Sequence, residues 1–101
     1  MNRSGEITSL KEVLPQILKK LGLWDTLREK QVIFNWKEIV GPDFPSQIKP
    51  FDLENQTLYL KVPSFEWKKE LEYLKEELIE KINQKMGTQV VKKIKIFVYP
   101  S

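Results

Sequence analysis

The sequence predicts an α+β fold in the order α-α-β-β-α-β, with helices packed on one face of a three-stranded sheet. Three observations carry this reading. Apolar residues recur at helical spacing from Leu10 to Leu21 and from Trp67 to Ile82. Residues 57–62 and 93–99 instead alternate between two kinds of side chain, as half-buried strands do. Gly22, Gly41 and Gly87 each follow a helical stretch, where a left-handed residue ends a helix at least cost.

The elements follow in order. Residues 1–8 read as a frayed lead-in, and residues 9–101 as one domain. Ser9-Leu10-Lys11-Glu12 fits a capping box, in which the serine hydroxyl accepts from the Glu12 amide while Glu12 reaches back. Leu10, Val13, Leu14, Ile17, Leu18 and Leu21 then carry a first helix to Gly22. Pro15 removes a donor and crowds the preceding turn, so a kink is expected there, or a helix that begins near it. A second helix is expected from Trp24 or Asp25 to Val40, stopped by Gly41-Pro42. At ~100° per residue its apolar residues do not form one stripe. Ile33, Trp36 and Val40 share a face, with Val32 and Ile39 at its edge, while Leu27 and Phe34 lie opposite. Such a helix is either sandwiched between layers or keeps a face for a partner.

Ile48–Leu53 reads as a first strand, with Pro50 pointing to an edge or a bulge. Glu54-Asn55-Gln56 is a polar hairpin turn, and Thr57–Val62 a second strand with Leu58, Leu60 and Val62 inward. Ser64 caps a long helix from about Phe65 to Met86, with Trp67, Leu71, Leu74, Leu78 and Ile82 on its apolar stripe. Glu72, Glu76 and Glu80 stack on its far side as a like-charged column that packing does not require and that repels phosphate. Val90–Tyr99 reads as the last strand: Ile94, Ile96 and Val98 point one way, and Lys93, Lys95, Phe97 and Tyr99 the other.

Composition narrows the function classes. The chain has 101 residues, 41% hydrophobic and 31% charged, an ordinary globular make-up with room for one core. It has no cysteine and no histidine, so disulfides, thiolate metal sites and the commonest general base are all missing. Neither a secretory leader nor an apolar run of ~18–20 residues is present, so a cytoplasmic protein with no membrane contact is expected. The four glycines stand too far apart for a phosphate-cradling loop, and the serines have no histidine to activate them. Asp43, Asp52 and Glu54 sit where acids serve as turn residues. The expectation is a binding protein without catalysis, cofactor, metal or small-molecule substrate.

Charge and aromatics indicate what is bound. Residues 64–84 carry four Lys against six Glu, a local −2, whereas residues 85–101 carry Lys85, Lys92, Lys93 and Lys95 and no acid. That polarity either positions a nucleic acid or an acidic protein on one side of the domain, or is an ordinary solvated charged surface. Phe97 and Tyr99 alternate with Lys93 and Lys95: on an open face this is a single-strand platform, on a covered one an ordinary strand. Trp36 and Trp67 read as core anchors, and Trp24 as partly exposed.

Several segments together resemble the DciA family, bacterial proteins that assist loading of the DnaB-type replicative helicase. They are Leu14-Pro15…Leu18…Leu21-Gly22-Leu23, Trp36-Lys37-Glu38-Ile39-Val40-Gly41-Pro42, Pro50, Thr57–Val62, Pro63-Ser64-Phe65-Glu66-Trp67-Lys68-Lys69-Glu70-Leu71, Ile82–Gly87 and Val91–Phe97. The resemblance spans roughly residues 10–98. It implies a KH-like fold, a DnaB-type helicase as partner, and a weaker affinity for single-stranded DNA. The DNA contacts expected are Lys92, Lys93 and Lys95, with Lys19, Lys20, Lys68 and Lys69; the helicase contacts expected are Trp24 and Phe34. Two departures matter. No GxxG occurs, so KH-like describes the shape and not that loop's grip on a backbone. The basic extension many members carry is not expected here, which places DNA contact on the domain itself. The alternative is a general RNA- or single-strand-binding module with no helicase partner.

Overall fold

The computed structural model describes residues 14–100, and within it the helices and strands follow the predicted order with one helix divided. Helical backbone covers residues 14–20 (α1), followed by α2 (Trp24–Phe34), α3 (Trp36–Val40), β1 (Lys49–Glu54), β2 (Thr57–Val62), α4 (Phe65–Met86) and β3 (Lys93–Val98). The sheet order is β1-β2-β3, antiparallel between β1 and β2 and parallel between β2 and β3. The parallel pair needs a long crossover, and α4 supplies it. This α+β layout, a mixed three-stranded sheet with helices, is consistent with a KH-like arrangement. The capping box at Ser9, with Leu10 and Val13, lies outside the described residues.

One face of the sheet closes the core. Leu53, Leu58, Leu60, Val62, Ile94 and Ile96 are buried there against Val32, Trp36, Ile39, Val40, Leu71, Leu78 and Ile82 from the helices. Among the described residues no polar or charged residue is buried, so burial of apolar area dominates the stability. Trp36 does anchor the core and meets Phe44 edge to face at 5.6 Å, while Trp67 packs against its margin.

Local signals set the ends of α4. The Ser64 hydroxyl accepts from the Trp67 amide at 3.4 Å, and Gly87 closes the helix at φ 75°. The Arg28 guanidinium donates to the Met86 carbonyl, adding a cation at the negative end of the helix dipole. The hairpin between β1 and β2 turns on Asn55 and Gln56, at φ 51° and 64°. Gln56 tolerates that conformation because three elements meet on it. Its amide donates to Glu29 Oε2 at 2.8 Å, and its carbonyl accepts from the backbone amides of Lys92 and Lys93 at 2.8 and 3.1 Å. Its side chain reaches the Gln89 carbonyl at 3.0 Å.

Four expectations change. The helix expected to run unbroken to Val40 breaks at Asn35, which lies at φ −105°, ψ 24°. Val32 before the break and Trp36, Ile39 and Val40 after it all reach the core. Leu27 and Phe34 remain exposed, so the helix keeps an uncovered face and is not sandwiched among the described elements. On α4, Leu74 is exposed while Leu71, Leu78 and Ile82 are buried, because the buried stripe drifts toward Ile79 and Met86. The last strand starts at Lys93 and not at Val90, since its pairing begins opposite Thr57. Val90 and Val91 are buried in the preceding loop, both amides donating to Asn83 Oδ1 at 2.9 and 3.0 Å. Asn83 Nδ2 donates in return to the Val91 carbonyl at 2.9 Å.

Candidate nucleic-acid interface

Among the described residues no helix covers the second face of the sheet. Strand alternation sends Tyr59 and Lys61 of β2, and Lys93, Lys95 and Phe97 of β3, away from the core. Lys95 is the register partner of Tyr59, and Phe97 that of Lys61, so rings and ammonium groups interleave in adjacent rows. Tyr99 extends the row, its amide donating to the Val62 carbonyl at 2.8 Å.

β1 adds a fourth ring by an irregularity. Its pairing with β2 shifts between Pro50 and Asp52, leaving Phe51 as the extra residue of a bulge. Phe51 lies within 5.9 Å of Tyr59, 5.7 Å of Phe97 and 6.1 Å of Tyr99, centroid to centroid. Tyr59 and Phe97 stack at 6.1 Å with their planes 28° apart. The four rings form one cluster, yet Phe97 keeps 40% of its surface in water and Tyr99 55%. Aromatic faces held open by their neighbours can stack on unpaired bases with little side-chain ordering on binding.

The face is cationic. Lys49, Lys61, Lys93 and Lys95 are all exposed, and none is in an ion pair among the described residues. Asp52, the register partner of Tyr59, is engaged by Lys30 of α2 at 3.3 Å and accepts from the Leu53 amide at 2.8 Å. Among the described residues no group of three or more acidic side chains gathers as a metal site.

The expected contact residues fall on several surfaces. Lys93 and Lys95 lie on the outer face, and Lys92 is exposed just before it. Lys68 and Lys69 belong to the first turns of α4, which packs on the opposite face, and Lys19 and Lys20 belong to α1. Those four share a sign with the sheet lysines but not a strand or a face. Glu72, Glu76 and Glu80 are exposed on α4, and Lys75 pairs with Glu72 at 2.7 Å. The residues that charge counting missed are Phe51, Tyr59, Lys49 and Lys61.

Trp24 and Phe34 differ in kind. The Trp24 indole is half-buried, with Lys19 Nζ 5.6 Å and the Arg28 guanidinium 5.7 Å from the ring centroid. Phe34 is 85% exposed at the helix break, on the rim of an open groove of about 930 Å³ that Trp36, Val40, Phe44, Ile48 and Pro50 also line. An exposed aromatic beside an apolar groove is a feature of protein-binding surfaces.

The described residues thus form a small α+β domain with one sheet face closed by helices and the other built of rings and lysines. The chain is a member of the DciA family, matching the family described as Dna[CI] antecedent, DciA, over residues 9–96. That family is associated with loading of the DnaB helicase in bacterial DNA replication and is not a known enzyme family. No curated protein matches the chain. Among the described residues no helix is long and apolar enough to cross a membrane.

Proposed function

We propose that this protein binds a DnaB-type replicative helicase in the cytoplasm and promotes its loading on single-stranded DNA. The observation that carries the reading is the family match, which spans all but the ends of the chain. Loading needs no chemistry from the adaptor. A partner that prefers one conformation of a helicase ring shifts the ring toward it by the difference in affinity. Phe34, with the groove beside it and Trp24 further along α2, is the side offered to the helicase. The outer sheet face, with Lys93 and Lys95 and with Lys92 beside it, is the side offered to DNA. The two sides adjoin at Lys49, which lines the groove and lies on the outer face. Calorimetric titration with the purified helicase tests the reading: binding at micromolar protein supports it, and no heat at that concentration overturns it.

The open ring face favours one second reading, a general single-strand or RNA-binding module with no helicase partner. It predicts oligonucleotide affinity that falls steeply with salt and on charge reversal at Lys93 and Lys95, and no helicase binding.

A further inference from the structure

We propose that Lys49 and Lys61 form a phosphate-binding pair that anchors one end of an unpaired nucleic-acid strand lying over the ring cluster. The proposal deepens the preceding section, since it rests on the reading that the outer face receives single strands. The two residues are direct register partners across β1 and β2, on the outer face, and both are exposed. Like charges directly opposed on a sheet cost stability. Neither has an acidic partner among the described residues, so nothing within the described fold offsets that cost. A bound phosphodiester would.

The surroundings fit that ligand. A cleft of about 380 Å³ opens beside the pair, lined by Gln47, Lys49, Lys61, Pro63, Tyr99 and Pro100. Tyr99, more than half exposed, supplies a ring at the cleft, and Phe97 occupies the row of Lys61 on β3. Further along the same face, Lys95 pairs with Tyr59 and Lys93 with Thr57. Four residues separate the Lys61 row from the Lys93 row, about 13 Å at ~3.3 Å per residue. A strand held at both ends would thus cross Phe97, Tyr59 and Phe51 with two or three bases stacked, as on other open sheets that bind single strands. The one acid aligned on this face near the rings, Asp52, is held by Lys30. Glu54 lies opposite Thr57, at the far end from the Lys49–Lys61 pair. Paired bases have no free faces for these rings, so the site selects single strands. The contacts proposed are to phosphates and base faces, which deoxyribose and ribose strands share.

The test is fluorescence anisotropy on the full chain, with labelled oligothymidylate, oligouridylate and a duplex of equal length, over a range of salt. The double variant Lys49→Gln, Lys61→Gln should lower the salt slope for both single strands by about 1.4, two phosphate contacts at about 0.7 each. Its thermal midpoint should be equal to or higher than that of the parent, because a like-charge pair is removed. Lys68→Gln with Lys69→Gln on α4 should leave the slope unchanged. The proposal is overturned if the Lys49/Lys61 variant keeps the parent slope, if the α4 variant loses as much, if the duplex binds as tightly as the single strands, or if the parent binds none of them. The assay contains no helicase, so a failure here and a failure of the helicase titration are read separately.

Discussion

On the inner face of the sheet, Leu58, Leu60 and Val62 of β2 meet Ile94 and Ile96 of β3 under the helices; on the outer face of the same strands, Tyr59, Lys61, Lys93, Lys95 and Phe97 meet water. The two faces are one residue out of phase and otherwise share backbone, pairing and twist. The inner set is wholly aliphatic and closed, which is what fold stability asks for. The outer set combines large rings with unneutralised cations, which stability does not ask for and a single-strand ligand does. Face chemistry therefore separates residues that hold the fold from residues that are free to bind, and substitutions should split along that line.

The largest effect should come from the closed face. Leu60→Ala should lose about 2–5 kcal/mol of unfolding free energy in a urea titration, through lost transfer energy and the cavity left behind. Its oligonucleotide affinity, measured where the protein remains folded, should stay near that of the parent. Next comes Asn83, which ties α4 to the segment that feeds β3. Asn83→Ala strips partners from the Val90 and Val91 amides and the Val91 carbonyl, and should cost about 2 kcal/mol in the same titration. If the loss is under about 0.5 kcal/mol, water replaces that side chain and β3 is not held from this end.

On the open face the balance reverses. Phe97→Ala should reduce single-strand affinity by about 1–3 kcal/mol, the usual worth of one stacking ring, read by anisotropy. Its unfolding free energy should fall by no more than about 1.5 kcal/mol, since the ring is partly exposed and its aromatic pairs are with Phe51 and Tyr59. A stability loss as large as that of Leu60→Ala would erase the distinction between the faces. The smallest stability effect is expected at Phe34. Phe34→Ala should change unfolding by less than about 0.5 kcal/mol. It should weaken helicase binding by at least about 1 kcal/mol in calorimetry, the level at which a residue counts as an interface anchor.

How much of this was legible in the sequence depends on whether the signal is local. The ends of α4 were readable because Ser64 and Gly87 act within one turn of their own helix. β2 was readable because Leu58, Leu60 and Val62 alternate without interruption. The break at Asn35 was not, because neither proline nor glycine marks it. The candidate face was half legible. Phe97 with Lys93 and Lys95 showed as a strand alternation, and that face is left uncovered among the described residues. Phe51 was hidden because the bulge after Pro50 changes the parity of β1, and an alternation count cannot carry across it. The Lys49–Lys61 opposition is a matter of register between strands, which a single strand's sequence does not state. Conversely, Lys68 and Lys69 looked equivalent to Lys93 and Lys95 by charge alone, and the fold puts α4 and the open face on opposite sides of the sheet.

The most direct test of the difference between the faces is an amide chemical-shift map of the isotopically labelled protein titrated with a short oligothymidylate. The expected perturbations centre on Phe51, Tyr59, Lys61, Lys95, Phe97 and Tyr99, with Glu66–Glu80 of α4 unmoved. Perturbations centred on α4 or on α1, with the outer strands silent, would contradict the assignment of the open sheet face as the surface that binds single strands.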